Sequence, residues 1–176
     1  SSLFVYGNMN FNLGVFKDEH IEEIDFGLDF YAPQTCVDDK NRIIMIAWMD
    51  MWERNYPTHE LNHKWSGIMT LPRELIWHNN KIYQQPVTEL IDYRTNHRHK
   101  QFLLKSECSF EDICGNKIDL VIQIKNLKEH TFFHMDLLAS STEYTRISYD
   151  VDQLTFTFDR SNSGHEMKTT SEKEVY

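Results

Sequence analysis

Apolar and polar residues alternate along most of the chain in short runs separated by turn-forming residues, a rhythm that predicts strands nearly throughout and an all-β fold. The first run, Leu3 to Tyr6, ends at Gly7-Asn8. Phe30 to Val37 and the apolar run Arg42 to Trp48 flank Asp38-Asp39-Lys40-Asn41, which reads as a hairpin loop. The length and isoleucine content of the second run suit a buried strand. Leu75-Ile76-Trp77 and Lys81-Ile82-Tyr83 flank His78-Asn79-Asn80, where asparagine tolerates the left-handed conformation of a tight turn. A further strand is expected within Trp65 to Leu71.

One short segment reads as helical. Pro86 suits a first helical turn, and Val87, Leu90 and Ile91 follow at spacings of three and four up to Arg94. Beyond it, Gln101 to Leu104, Ile118 to Ile124, Thr131 to Leu138, Thr145 to Tyr149 and Leu154 to Phe158 recur with turns between them, as in a β-sandwich. The expected organisation is therefore a first β domain over 1–85, a connector with a short helix over 86–98, and a sandwich-like domain over 99–176. Residues 161–176 are polar and charged and read as a loop or tail.

Composition narrows the function classes. Asp and Glu outnumber Lys and Arg by 27 to 18, a net charge of -9, which argues against nucleic acid as partner. The longest apolar run, Ile43 to Met49, falls short of the roughly eighteen residues that span a bilayer, so no membrane helix is expected. Three cysteines, Cys36, Cys108 and Cys114, lack metal-ligand spacing; free thiols and the cytoplasm are the expectation. The first residues carry no secretory pattern and no initiator Met, which reads as a processed start or a piece of a longer protein.

Trp48, Trp52, Trp65 and Trp77 are a dense set, and flat aromatic faces suit the apolar face of a sugar ring. Trp48 continues an apolar strand and reads as core, whereas Trp52 lies past the strand end, where ligand contacts concentrate. Asp29, Asp50 and Glu74 are the nearest carboxylates. Strand alternation from Asp29 places it on one face with Tyr31, so the two could share a polar pocket. Asp50 and Glu74 read as loop hydrogen-bond acceptors or ion-pair partners of Arg73 or Arg54.

His59-Glu60-Leu61-Asn62-His63 matches the H-E-x-x-H zinc pattern, which needs a helix to bring both histidines onto one metal. The preceding Arg-Asn-Tyr-Pro-Thr offers no apolar helical turn, so no metal is expected. Serines without G-x-S-x-G surroundings and scattered glycines give no support to serine-hydrolase or phosphate-loop chemistry.

Asp29-Phe30-Tyr31-Ala32-Pro33-Gln34-Thr35, then Trp48-Met49-Asp50-Met51-Trp52, then Met69-Thr70-Leu71-Pro72-Arg73-Glu74-Leu75, resemble in this order glycoside hydrolase family 32, the β-fructofuranosidases, and within it most closely the bacterial enzymes acting on sucrose and sucrose 6-phosphate. The connector from Gln85 to Arg94, and Asp159-Arg160-Ser161 with Ser163-Gly164, resemble later family segments. The resemblance implies the last strands of a five-bladed β-propeller followed by a partial C-terminal β-sandwich. It implies cleavage of a fructosyl linkage by a retaining double displacement, without a cofactor. Asp29 and Tyr31 would then sit at the rim or floor of a substrate pocket, with Trp52 as an aromatic wall.

The family's nucleophile, in an Asn-Asp-Pro-Asn-Gly-type motif, its Arg-Asp-Pro aspartate and its Glu-Cys-Pro acid/base have no counterpart here. Glu107-Cys108 is followed by Ser109 and lies in the sandwich half. The chain by itself is thus expected to hold no catalytic residue and to be inactive. Its expected partners are sucrose, sucrose 6-phosphate or a related fructoside, and either the missing N-terminal propeller segment or a second copy. A non-catalytic carbohydrate-binding module and a purely structural β module are the alternatives.

Overall fold

The computed structural model describes residues 2–27, 29–52, 54–164 and 168–169. The fold is all-β, and the chain divides into two compact units, one running to Asp92 and taking in a short strand near the C-terminus, the other beginning at Tyr93. No helix among the described residues is long and apolar enough to cross a membrane.

The first unit opens with a hairpin of β1 (Leu3–Asn10) and β2 (Val15–Glu23), paired from Leu3↔Glu23 to Asn10↔Val15. The strand does not stop at Gly7-Asn8 as its turn residues predict. Gly7 instead marks a register shift, and a Cβ there would lie 2.1 Å from the Lys17 carbonyl oxygen. Close backbone approach, rather than a turn, explains the glycine. The reversal comes at residues 11–14, where the Asn10 side chain accepts from the Asn12 and Leu13 N–H groups at 3.1 Å each.

The main sheet runs β3 (Tyr31–Val37), β4 (Ile43–Met49), β7 (Arg73–His78), β8 (Lys81–Pro86), with β6 (Ile68–Met69) also paired to β4. Both predicted hairpins are present. In the first, the Asp38 carboxylate accepts from the Lys40 and Arg42 N–H groups at 2.9 and 2.8 Å, and Asn41 takes φ 57°. In the second, His78↔Lys81 closes on Asn79 and Asn80, at φ 50° and 59°, the two left-handed residues of a tight hairpin turn.

β4 buries one face only. Met45 and Ala47 are 1% and 0% exposed and form the core with Ile24 and Phe30, whereas Ile46, on the opposite face, is 36% exposed. The expected strand within Trp65 to Leu71 shrinks to β6, and a single helical turn, α1 (Pro57–Glu60), precedes it. β5 (Arg54–Asn55) pairs with β12 (Lys168–Thr169). The rest of the tail expected after residue 164 lies outside the described residues.

The predicted helix is a 3-10 helix, Thr88–Tyr93, and Pro86 ends β8 instead of starting it. Glu89 on this helix accepts from Lys40 at 2.6 Å and from Arg42 at 2.7 Å, while Arg42 also pairs with Asp38 at 2.7 Å. Bonds from Arg42 and then Lys40 hold the Glu89 carboxyl well below its ordinary value of 4.5. For Asp38, partial burial pushes upward, but the bonds from Arg42 and Lys40 outweigh it and the net shift is downward. Carboxylates depressed in the folded state stabilise above their unfolded values and lose that contribution as pH falls. Stability of this unit is therefore expected to decline progressively as pH falls below about 5. Arg42→Ala should flatten that decline in denaturant titrations at stepped pH, and an unchanged slope would count against the clasp.

The second unit contains an antiparallel sheet of β9 (Phe132–Leu137), β10 (Thr145–Asp150) and β11 (Thr155–Asp159), in the order β11-β10-β9. Arg146 forms a two-pronged pair with Asp136 across β9 and β10, at 2.7 and 2.8 Å, and covers the Tyr144 ring. These three strands fall where alternation predicts them. Among the described residues, Gln101 to Leu104 and Ile118 to Ile124 form no ladder, and their apolar side chains are largely exposed. Alternation reports suitability for a pleated surface; a ladder also requires a partner strand.

Candidate functional site

Three aromatic rings form a row where β3 and β4 meet. Tyr31 pairs with Trp48 in the ladder and meets its ring edge-on, with centroids 6.2 Å apart; Trp48 meets Trp52 edge-on at 5.6 Å. Such T-shaped contacts match the positive edge of one ring to the negative face of the next. Trp48 is half-buried rather than a full core residue, and Trp52, in the turn after β4, is 78% exposed. The row thus ends in a flat apolar face open to solvent. Trp65 and Trp77 contact other rings, His63 at 5.8 Å and Tyr6 at 5.6 Å.

Strict alternation does not hold at the start of β3. Ala32 takes φ 47° and the register shifts between Tyr31 and Gln34, so the strand carries an extra residue there. Phe30 turns into the core while Tyr31 is 40% exposed. Asp29 accepts a hydrogen bond from the Tyr56 hydroxyl. The structure thus brings Tyr31 and Trp52 together through Trp48 and engages Asp29 with a tyrosine that nothing in the local sequence marks as its partner.

A brace holds this corner from behind. Arg73 donates to Asp25 at 2.7 Å and to Gln84 at 3.0 Å, and its guanidinium stands 4.9 Å from the Phe30 ring centroid. Gln84 in turn donates to the Ile24 carbonyl at 2.7 Å. Arg73 is therefore paired with Asp25 and not with Asp50 or Glu74, the partners that sequence proximity favours. Arg54, the other candidate, lies outside the described side chains. Glu74 accepts from Gln85 at 3.3 Å. Asp50 is only 5% exposed and accepts from the Met51 N–H at 2.7 Å and, over a long 3.4 Å, from the Ser66 hydroxyl.

The histidine-containing motif does not run as one helix. α1 ends at Glu60, and Asn62 and Lys64 take φ 58° and 65°, so His63 leaves the helical path. The His59 side chain lies outside the described residues. Among the described residues, no group of three or more His, Cys, Asp or Glu side chains is placed to hold a metal ion.

The chain is all-β, in two units, and carries a solvent-facing aromatic row. It superimposes on the sucrose-6-phosphate hydrolase from Lactobacillus gasseri with a TM-score of 0.62 at 20% identity, covering 94% of this chain and 33% of that one. A Bombyx mori GH32 beta-fructofuranosidase gives 0.60 at 22% identity, over 82% and 30%. Residues 1–86 match the glycosyl hydrolases family 32 N-terminal domain, and residues 89–175 match the family 32 C terminal. The chain belongs to glycosyl hydrolase family 32. It is 31% identical over 162 residues to the sucrose-6-phosphate hydrolase of Staphylococcus xylosus, 92% of this chain and 32% of that protein. Against the Escherichia coli sucrose-6-phosphate hydrolase it is 47% identical over 79 residues, 45% of this chain and 16% of that protein. The chain therefore spans no more than about a third of the length of these relatives.

Proposed function

We propose that the chain is part of an enzyme that cleaves the fructosyl linkage of sucrose, sucrose 6-phosphate or a related fructoside, and that it forms a wall of the sugar pocket. The observation that carries this is the Tyr31–Trp48–Trp52 row with its exposed end, in a family 32 chain. Residues 1–85 would supply the last propeller strands, 86–98 the connector and 99–176 part of the sandwich. Trp52 would stack on the apolar face of the sugar, Tyr31 would border it, and Asp29, held by Tyr56, would accept from a sugar hydroxyl.

In the complete enzyme, one carboxylate attacks the anomeric carbon while a carboxylic acid about 5 Å away protonates the departing glycosidic oxygen. Water then cleaves the fructosyl ester, with the second group now acting as base. Both reacting carboxylates are assigned to the portion of the relatives that this chain does not span. That portion, or a second copy, is also the proposed cover for the many exposed apolar side chains. Sedimentation of the chain should show self-association, and a stable compact monomer would count against it. Exposed, unlinked Cys36, Cys108 and Cys114 support a reducing compartment, the cytoplasm.

A non-catalytic sugar-binding role is favoured by one observation. Trp52 offers an exposed ring in a sequence that carries none of the family's carboxylate motifs. Either role predicts that sucrose changes tryptophan fluorescence, and that Trp52→Ala weakens the response by roughly three- to tenfold in midpoint, the worth of one aromatic contact. A response that survives Trp52→Ala unchanged would remove the wall from the site.

A further inference from the structure

We propose that Asp50 is a positioning residue for the aromatic wall, and that Gly67 is the close-packing partner that keeps it there. The inference rests on the reading of Trp52 as sugar-facing. Trp48 is fixed by its ladder partners Tyr31 and Met69, but Trp52 lies beyond the strand, in a turn, and is 78% exposed. An exposed tryptophan stacks on a ligand at lower entropic cost when its orientation is set before the ligand arrives. The residue between the strand end and that turn is Asp50, whose side chain points inward and is 5% exposed.

Burying a carboxylate is costly unless it is hydrogen-bonded. Asp50 accepts from the Met51 N–H at 2.7 Å, which fixes the first peptide of the turn that carries Trp52. Its other oxygen receives the Ser66 hydroxyl at 3.4 Å. Immediately after Ser66, Gly67 takes φ 69°, and a Cβ built on it would lie 2.7 Å from Asp50 Oδ2 and 2.7 Å from Trp48 Nε1. Backbone therefore occupies the space beside both the carboxylate and the indole, and only glycine fits by both conformation and volume. Ser66 and Gly67 lead into β6, which pairs with Trp48 and Met49. Asp50 thus joins the end of β4, the Trp52 turn and the approach to β6.

Two indoles 5.6 Å apart and 68° between planes couple their transition dipoles, so the Trp48–Trp52 pair gives an exciton couplet in far-ultraviolet circular dichroism. In the 176-residue chain, Trp52→Ala should abolish this couplet and identify it. Asp50→Ala should lose the couplet while the sheet signal and cooperative unfolding persist, and its sucrose midpoint should weaken as in Trp52→Ala. Asp50→Asn, which still presents an acceptor to Met51, should keep both. Gly67→Ala should lose the couplet by displacing Asp50 and Trp48. A folded Asp50→Ala protein with the parental couplet overturns the proposal. If that variant does not fold, a couplet kept in folded Gly67→Ala, or lost in folded Asp50→Asn, overturns it. A parent chain with the couplet but no response to sucrose defeats the sugar reading and leaves the positioning role standing, so the two failures are distinguishable.

Discussion

Met45→Ala is expected to destabilise the first unit by about 2–5 kcal/mol, the range for truncating a buried methionine. Met45 is the largest fully buried side chain among the described residues, at 1% exposure. Its core neighbours are few: Ile24, Phe30 and Ala47, with Phe4 and Leu75 partly buried against them. A loss of that size is a large share of the roughly 5–15 kcal/mol that holds an ordinary domain together, and a small core has little capacity to collapse around the gap. Denaturant unfolding followed by near-ultraviolet circular dichroism should show the midpoint falling steeply or the cooperative transition vanishing. Met45→Leu, which conserves volume, should cost less than about 1.5 kcal/mol. Ile46→Ala, one residue on but on the open face at 36% exposure, should cost much less than Met45→Ala. Equal effects at 45 and 46 would mean that the second face of β4 is covered, and the assignment of a single buried face would have to be withdrawn.

Sucrose or sucrose 6-phosphate incubated with the 176-residue chain should release fructose no faster than in buffer. A complete glycosidase accelerates this class of reaction by ~10⁶-fold or more, so the two outcomes are far apart. The expectation follows from chemistry at the site. A retaining mechanism needs two carboxyl groups about 5 Å apart, one as nucleophile and one as acid/base. Asp50 is only 5% exposed and is closed to a substrate. The chain also lacks the motifs that carry these groups in family 32. Hydrolysis well above buffer, lost in Asp29→Asn, would overturn the proposal and make Asp29 a reacting group.

Much of the fold was legible because it is locally encoded. The Asp38 to Asn41 loop and the Asn79-Asn80 turn lie between alternating runs, and their side-chain chemistry acts over four residues or fewer. The all-β class follows from the same periodicity, and the ordered runs from Asp29 to Leu75 carry the family. Of the candidate wall, Tyr31 and Trp52 were visible as residue types in loop or strand-end positions, but their joining through a half-buried Trp48 was not.

The amino-acid sequence by itself determined the strand-rich class, the two tight hairpins and the membership in family 32, since each depends on neighbours in the chain or on runs read in order. Only the tertiary structure decided which groups meet. Arg73 pairs with Asp25 across 48 residues, Tyr56 with Asp29 across 27, and Ser66 with Asp50 across 16. It also decided that Gly7 serves a bulge, and that among the described residues the apolar runs at 101–104 and 118–124 form no ladder. The reason is physical: a residue's periodicity records the face on which it sits, while its partner is chosen by which distant backbone the fold brings within hydrogen-bonding reach.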